Sequence, residues 1–282
     1  MNNKTLSYVG IAIAVVALLI SFGTFGGSKG STTSNAVFDK VLSSGTLRAG
    51  YIVYPPYIAK DPKTGQLSGS FYDLTEAVGK QLGLKVEWVE EAGYGTIPES
   101  LSAGRYDMYA GIWANPNRSK AITFTTPAYY DAVYAYVKTA DHRFDNNLDL
   151  INSPQIKVST IDGELGDSIA KESFPNAQRV SLPQTSPFDQ LQLQVVTSKA
   201  DVVFLPPTAT ELFLKSNPGT LRKASEIPVR NYAATVGVKL GEFQFRDMLS
   251  VTIQELINTG EVNKILNKYD KNALPVAAPY KK

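Results

Sequence analysis

The chain has 282 residues, a net charge of +2, and 43% hydrophobic against 19% charged residues, enough for two lobes with real cores and with no broad basic surface for nucleic acid. It has no cysteine, which excludes disulfides, thiolate zinc sites, cysteine nucleophiles and a lipidated N-terminal cysteine. Its one histidine, His142, excludes multi-histidine metal sites and would have to serve alone in any Ser-His-Asp triad.

Lys4 is the only charged side chain before an apolar run from Tyr8 to Phe25, about the length that begins to span a bilayer. Residues 1–25 are therefore expected to be a signal peptide or an N-terminal membrane anchor. Residues 26–36, rich in Gly, Ser and Thr, read as a flexible linker. Either reading puts the folded part outside the cytoplasmic membrane, with Lys4 inside.

Val37 to Leu42 reads as a short helix, and Thr46 to Tyr51 as a strand with alternating apolar residues. Tyr54-Pro-Pro-Tyr57 breaks that strand. Ser70 opens a helix, with Asp73 as the partner in a capping box, and Gly83 suits its end. Lys85 to Glu90 is a second strand. Thr96-Ile-Pro-Glu99 reads as a full capping box, opening a helix that Gly104 ends. Asp107 to Gly111 is a third strand. This β-α-β-α-β order predicts a parallel sheet with right-handed crossovers.

Ala132 to Lys138 is a longer strand, after which the unit starts again. Ile156 to Ile161 and Gln178 to Leu182 are strands, with a helix between them that Asp167 can cap and Pro175 stops. Pro187 starts a helix, Asp201 to Leu205 is an apolar strand, and Thr208 to Lys215 is helical. Tyr232 to Val238 is a strand, and Glu242 to about Thr259 is an amphipathic helix closed by Gly260. Glu261 to Tyr269 is a last short helix, and the tail from Asn272 is expected to be loose. The strands near 132–139 and 230–238 bracket the second block and are natural crossings between lobes.

The loop after the third strand carries the candidate chemistry. Asn115-Pro116 is a turn signal there, and one guanidinium, Arg118, stands beside one large aromatic, Trp113. The carboxyl ends of strands are where open α/β sheets place ligands. A guanidinium in that position can grip an anionic group with two hydrogen bonds. Tyr51, Tyr54 and Tyr94 also fall at strand ends or following loops, where ring faces suit a planar or apolar ligand body.

Six segments occur in a specific order: Thr46-Leu-Arg-Ala-Gly50, Tyr54-Pro-Pro-Tyr57, Gly69-Ser-Phe-Tyr-Asp-Leu74, Gly104-Arg-Tyr-Asp107, Pro116-Asn-Arg-Ser-Lys120 and Phe124-Thr-Thr-Pro127-Ala-Tyr-Tyr130. In that order the chain resembles the family 3 extracellular solute-binding proteins, the polar-amino-acid receptors of ABC importers. The likeness runs on through Lys199-Ala-Asp-Val-Val203 and Gly260-Glu-Val-Asn-Lys-Ile-Leu266, and covers 37 to 270. It implies an α/β fold of the two-lobed type II periplasmic-binding kind, each lobe a mainly parallel sheet flanked by helices and joined by two hinge strands. Lobe 1 would comprise 37–138 and 232–270, lobe 2 139–231, and 271–282 a C-terminal tail.

The family's loop reads Gly-x-Thr-x-Thr-Pro-Glu-Arg, and its Arg binds the ligand α-carboxylate. Here the loop runs from Gly111 to Arg118, so Arg118 matches that Arg, while Trp113 and Asn115 stand in place of the two Thr. The second lobe's hydroxyl-bearing turn is replaced by Gly163-Glu164-Leu165-Gly166. The acid that usually takes the ligand ammonium falls near Leu205 or Pro206. Glu164 and Asp162 are the acids that could supply the missing negative charge, although Asp162 reads more simply as a turn residue.

The resemblance implies a binding protein that captures a small carboxylate-bearing ligand, an amino acid or related organic acid, and hands it to an ABC permease. It is expected to be a monomer and to use no cofactor or metal. Two alternatives stand beside it. One is a cyclohexadienyl or arogenate dehydratase on the same fold, with Glu164 or Asp167 as proton donor. The other is a membrane-tethered ligand sensor.

Overall fold

The computed structural model describes residues 36–145 and 147–276. The expected leader or anchor, nearly all of the linker and the last residues of the tail lie outside them. Among the described residues no helix is long and apolar enough to cross a membrane.

The first strands are built from alternating or fully apolar runs that hide between helices. β1 (Thr46–Tyr51) pairs in parallel with β4 (Lys85–Glu91) on one side and β5 (Met108–Trp113) on the other. Every residue of β5 is buried, as expected of a central strand covered on both faces. α1 (Ala36–Ser44), α2 (Ser70–Leu82) and α3 (Ile97–Ser102) connect or flank these strands, and a small hairpin, β2 (Ala59–Lys60) with β3 (Leu67–Ser68), lies between.

β6 (Ile122–Phe124) leads into β7 (Tyr129–Lys138), the strand on which the two halves of the sheet meet. Its first residues pair with β12 (Arg230–Lys239), from Val133 opposite Arg230 to Tyr129 opposite Ala234. Its later residues pair with β10 (Val202–Leu205) and β11 (Leu221–Lys223). β10, β8 (Lys157–Ile161) and β9 (Gln178–Leu182) then run parallel. The order across the sheet is β4-β1-β5-β12-β7-β10-β8-β9. β7 and β12 are thus the strands through which the chain passes between a first parallel group and a second.

Helices α4 (Leu165–Ser173), α5 (Asp189–Val196) and α6 (Pro207–Ser216) serve the second group. α7 (Phe243–Asn258) and α8 (Glu261–Tyr269) return to pack on α2. The buried face of α7, Phe245, Leu249, Ile253 and Leu256, follows the helical spacing in the sequence.

The structure corrects several local expectations. Gly69, with φ of 125°, precedes α2, and the Ser70 hydroxyl is buried with no hydrogen-bond partner among the described residues, so the capping box does not form. A Cβ at Gly69 would lie 2.3 Å from the Tyr57 carbonyl oxygen, so close packing decides that helix start. Thr96 likewise turns its hydroxyl back to the Gly93 carbonyl at 3.0 Å, because a single 3₁₀ turn over Tyr94–Thr96 precedes α3. The tail forms β13 (Leu274–Pro275), which adds to β7 opposite Tyr130 and Tyr129.

Candidate functional site

The loop after β5 is shaped by Asn115. Its buried side-chain oxygen accepts the Arg118 backbone N–H at 2.9 Å, and its carbonyl accepts the Ser119 N–H at 3.1 Å. This Asx-type turn folds the loop back, so that the Arg118 side chain lies along the strand end. Arg118 Nη1 then donates to the Trp113 carbonyl at 2.9 Å, and Nη2 donates to the Gly163 carbonyl at 2.6 Å. Gly163 follows β8, so this one side chain ties the first half of the sheet to the second. Its carbon Cζ stands 5.0 Å from the centre of the Tyr94 ring, a cation–π contact. Burial lowers the guanidinium pKa, while Tyr94 and Glu164 act to hold it up. A guanidinium remains charged at physiological pH even so.

Across from Arg118, Glu164 is fully buried at the start of α4. It, rather than Asp167, is the residue that caps this helix: Oε2 accepts the Gly166 N–H at 2.6 Å. Oε1 has no hydrogen-bond partner among the described residues. Burial pushes the Glu164 carboxyl up to about 7, against the Gly166 N–H and the Arg118 charge, which pull it down. Tyr54 stands close enough to feel that carboxyl, and its own hydroxyl is likewise buried without a partner among the described residues. Burial, then Glu164, raise the Tyr54 phenol pKa. A buried polar atom with no partner costs free energy, so such atoms concentrate where a ligand completes them.

The aromatic side of the site is a continuous cluster. Trp113 is buried at the end of β5, which runs two residues past the expected strand end at Gly111, so it is a strand residue and not a loop residue. Its ring meets Tyr54, Tyr57, Phe71 and Tyr94 at centroid distances between 5.3 and 6.3 Å. Its Nε1–H donates to Asp131 at 2.6 Å. Tyr54 stacks face to face on Phe188, 3.7 Å between centroids and 9° between planes. Phe188 belongs to the turn before α5, so this contact too joins the two halves. On either side of the stack the surface opens into a groove, one of about 500 Å³ bounded by Tyr54, Gln192 and Phe213, the other of about 470 Å³ bounded by Val53, Gln184 and Thr185.

Arg118, Trp113, Tyr54, Tyr94 and Glu164 therefore come together. Tyr51 does not: its ring packs edge-on against Trp88 at 5.7 Å, because the last residue of β1 turns toward β4. Gly111 serves packing. Its φ is 79°, and a Cβ there would lie 2.0 Å from the Phe71 ring. Asn115 shapes the loop. Asp162 is exposed and its backbone N–H pairs with the Leu182 carbonyl, as a turn residue does. Leu165 is buried in the second core, and Pro206 precedes α6, its carbonyl accepting the Thr210 N–H at 3.4 Å. Asp167 is held by Lys171 and Arg179, each at 2.6 Å. Burial pushes its pKa up, but these two hydrogen bonds and the Gly163 N–H outweigh that and leave it below the usual carboxylate value, which suits a structural ion pair better than a proton donor. Phe188 and Asp131 were not singled out from the sequence. The signal for Phe188 was an aromatic directly before a helix on the carboxyl side of a strand; nothing in the spacing marked Asp131.

Among the described residues no three His, Asp or Glu side chains are grouped to hold a metal. The arrangement brings together a guanidinium, a buried carboxyl with an unpartnered oxygen and aromatic faces, beside grooves that Tyr54 and Phe188 border. That defines a two-lobed ligand-capturing protein of the type II periplasmic-binding fold. The model of the bacterial extracellular solute-binding proteins, family 3, matches residues 47–272, and the chain belongs to that family. It is 25% identical over 228 residues to a putative ABC transporter arginine-binding protein 2 of Escherichia coli, covering 77% of this chain and 86% of the other. It is 26% identical over 230 residues to a probable histidine-binding protein of Campylobacter jejuni, covering 81% and 83%. Among solved structures, an ancestral amino acid-binding protein described as a precursor of cyclohexadienyl dehydratase superposes with a TM-score of 0.71 at 24% identity, covering 83% of this chain and 98% of that one.

Proposed function

We propose that this protein is the extracytoplasmic substrate-binding component of an ABC importer, and that its ligand is a small amino acid or related organic acid held by Arg118 and Glu164. Arg118 takes the carboxylate, exchanging its bonds to the Trp113 and Gly163 carbonyls for a two-pronged grip. Glu164 takes an ammonium or another cationic group through Oε1. Tyr54 donates or accepts a third hydrogen bond, and the Tyr94 and Trp113 faces enclose the ligand body. The observation that carries this reading is the partnerless Oε1 of a fully buried carboxyl close to a half-buried guanidinium. Relatives named for arginine and histidine support an amino acid as the class. The loaded protein passes its ligand to a membrane permease outside the cytoplasm, and it does so as a monomer.

Calorimetry with L-arginine, L-histidine, L-glutamine and simple organic acids tests the reading. Arg118→Ala is expected to weaken binding of the best ligand by about 2–5 kcal/mol. Unchanged affinity would remove Arg118 from the site.

One observation favours a second reading. A buried acid with a pKa of about 7 is suited to proton transfer, as the dehydratase alternative requires. Incubation with prephenate or arogenate, followed by product absorbance, separates the two. Turnover that Glu164→Gln abolishes would make this an enzyme; binding without turnover leaves it a transport receptor.

A further inference from the structure

The larger of the two grooves beside the Tyr54–Phe188 stack, about 500 Å³, is built from two helix faces and one loop. α5 turns Asp189 and Gln192 into it, three residues apart and so on one face. α6 turns Ala209, Leu212, Phe213 and Ser216 into it, again at helical spacing. Tyr54 and Pro55, which follow β1, form the third wall. The walls thus come from both halves of the sheet, and the volume is that of a small-molecule pocket. Neither Arg118 nor Glu164 lines it.

Two polar side chains on this surface lack partners. Gln192 is 3% exposed, and its amide oxygen has no hydrogen-bond partner among the described residues. A buried amide oxygen left unpaired costs free energy that an apolar side chain of the same size avoids. Asp189 is exposed and forms no ion pair or hydrogen bond among the described residues. An acid in the first turn of a helix suits the helix dipole. Asp189 is also, among the described residues that line the groove, the only one with a charge. The other walls are mainly apolar, and the Leu212 side chain is left exposed on them.

We propose that this groove is a second small-molecule site, and that it takes an apolar body carrying one protonated amine. An ammonium has three N–H donors and no acceptor. Residues three apart on a helix stand about 5–6 Å apart at Cβ, so one ammonium can serve both the Asp189 carboxylate and the Gln192 oxygen. The terminal amide torsion of a glutamine is soft, which lets that oxygen turn to meet the amine. The apolar body lies against Tyr54, Leu212 and Phe213. A carboxylate is repelled by Asp189 and meets no Lys or Arg among the described lining residues. Because the walls come from both halves, an occupant favours the arrangement in which Tyr54 meets Phe188. The assignment stands on the groove itself and does not rest on the function proposed above.

Saturation-transfer NMR and calorimetry of the full chain at neutral pH, with phenethylamine, 2-phenylethanol and phenylacetate as probes, test this. Phenethylamine is expected to bind, and each of the other two to bind at least about tenfold more weakly, since they lack the charge-assisted hydrogen bonds. Asp189→Asn is expected to weaken phenethylamine by about tenfold, and Gln192→Leu to weaken it in the same direction. Should Gln192→Leu not fold, Asp189→Asn, at an exposed position, decides alone. No phenethylamine signal at millimolar concentration overturns the site. Equal binding of the three probes, or of phenethylamine to Asp189→Asn and wild type, overturns the amine as its ligand. Phenethylamine binding that Glu164→Gln abolishes and Asp189→Asn leaves intact would place the amine beside Arg118 instead, and likewise overturns the second site.

Discussion

Glu164 is the residue whose chemistry makes the sharpest demand on pH. Its carboxyl is pushed up to about 7 by burial. On the function proposed above a cationic ligand group docks on the ionised form, so ligand affinity is expected to fall about tenfold per pH unit well below that value. Calorimetry between pH 5 and 8 measures the slope, and Glu164→Gln is expected to be flat as well as weaker. In the folded protein alone the sign reverses. The folded pKa lies above the ordinary 4.5, so the native state holds the proton more tightly than the unfolded chain. This group's contribution to stability is therefore full below about 4.5 and is lost as pH rises through about 7. Denaturant titrations of the wild type against Glu164→Gln are expected to diverge over that window. The residue scale also shows how far sequence reasoning reached. Arg118 was legible because a motif places a guanidinium at a fixed distance past a strand. Glu164 was visible only as an acid in an odd turn, since nothing in the sequence says that its second oxygen is buried and unpaired. Tyr51 was misplaced because the direction of a ring at a strand end depends on which neighbouring strand offers it a partner, here Trp88 on β4.

At the scale of elements, β5 shows what binds the site to the fold. The strand is buried along its whole length and ends at Trp113, so any strain within it reaches the aromatic floor. Gly111 is the weak point. Its φ of 79° is a left-handed conformation, and an added Cβ would sit 2.0 Å from the Phe71 ring. Gly111→Ala is expected to cost at least about 2–3 kcal/mol from overpacking and backbone strain together. A lower denaturant midpoint with an unchanged slope checks this. The sequence made the strand–helix succession plain, because apolar periodicity and glycine stops are local signals. Helix starts were less plain. The Ser70 and Thr96 capping boxes fit their pattern, yet close packing at Gly69 and the 3₁₀ turn at Tyr94 redirected both hydroxyls. The bonding of the tail to β7 was invisible for the same reason: strand addition is set by which edge lies open, and a two-residue strand containing a proline is too short to carry a periodicity that announces it.

For the whole molecule the question is what holds the two halves of the sheet against each other across the site. Besides the strands β7 and β12, several side-chain contacts do so, among them the Tyr54–Phe188 stack, the Arg118 bond to the Gly163 carbonyl, the Asn117–Glu172 hydrogen bond and the bonds of Asn272 to Thr208 and Glu211. On the function proposed above, the Arg118 bond is exchanged when a carboxylate takes the guanidinium, whereas the Tyr54–Phe188 stack is present without ligand. A stacked aromatic pair contributes about 0.5–1.5 kcal/mol beyond the area it buries. Removing it in Phe188→Ala therefore shifts the balance between closed and open arrangements by about two- to tenfold toward open. A ligand can shift that balance only by its differential affinity for the two arrangements. The variant is thus expected to bind the same ligand more weakly by up to that factor, while keeping the same ligand preference. Small-angle scattering of the unliganded variant is expected to give a larger radius of gyration than wild type, and saturating ligand to restore the wild-type value. Equal radii in both proteins without ligand would mean that the β7 and β12 crossings and the other contacts between the halves, and not the aromatic stack, set how far the halves stand apart.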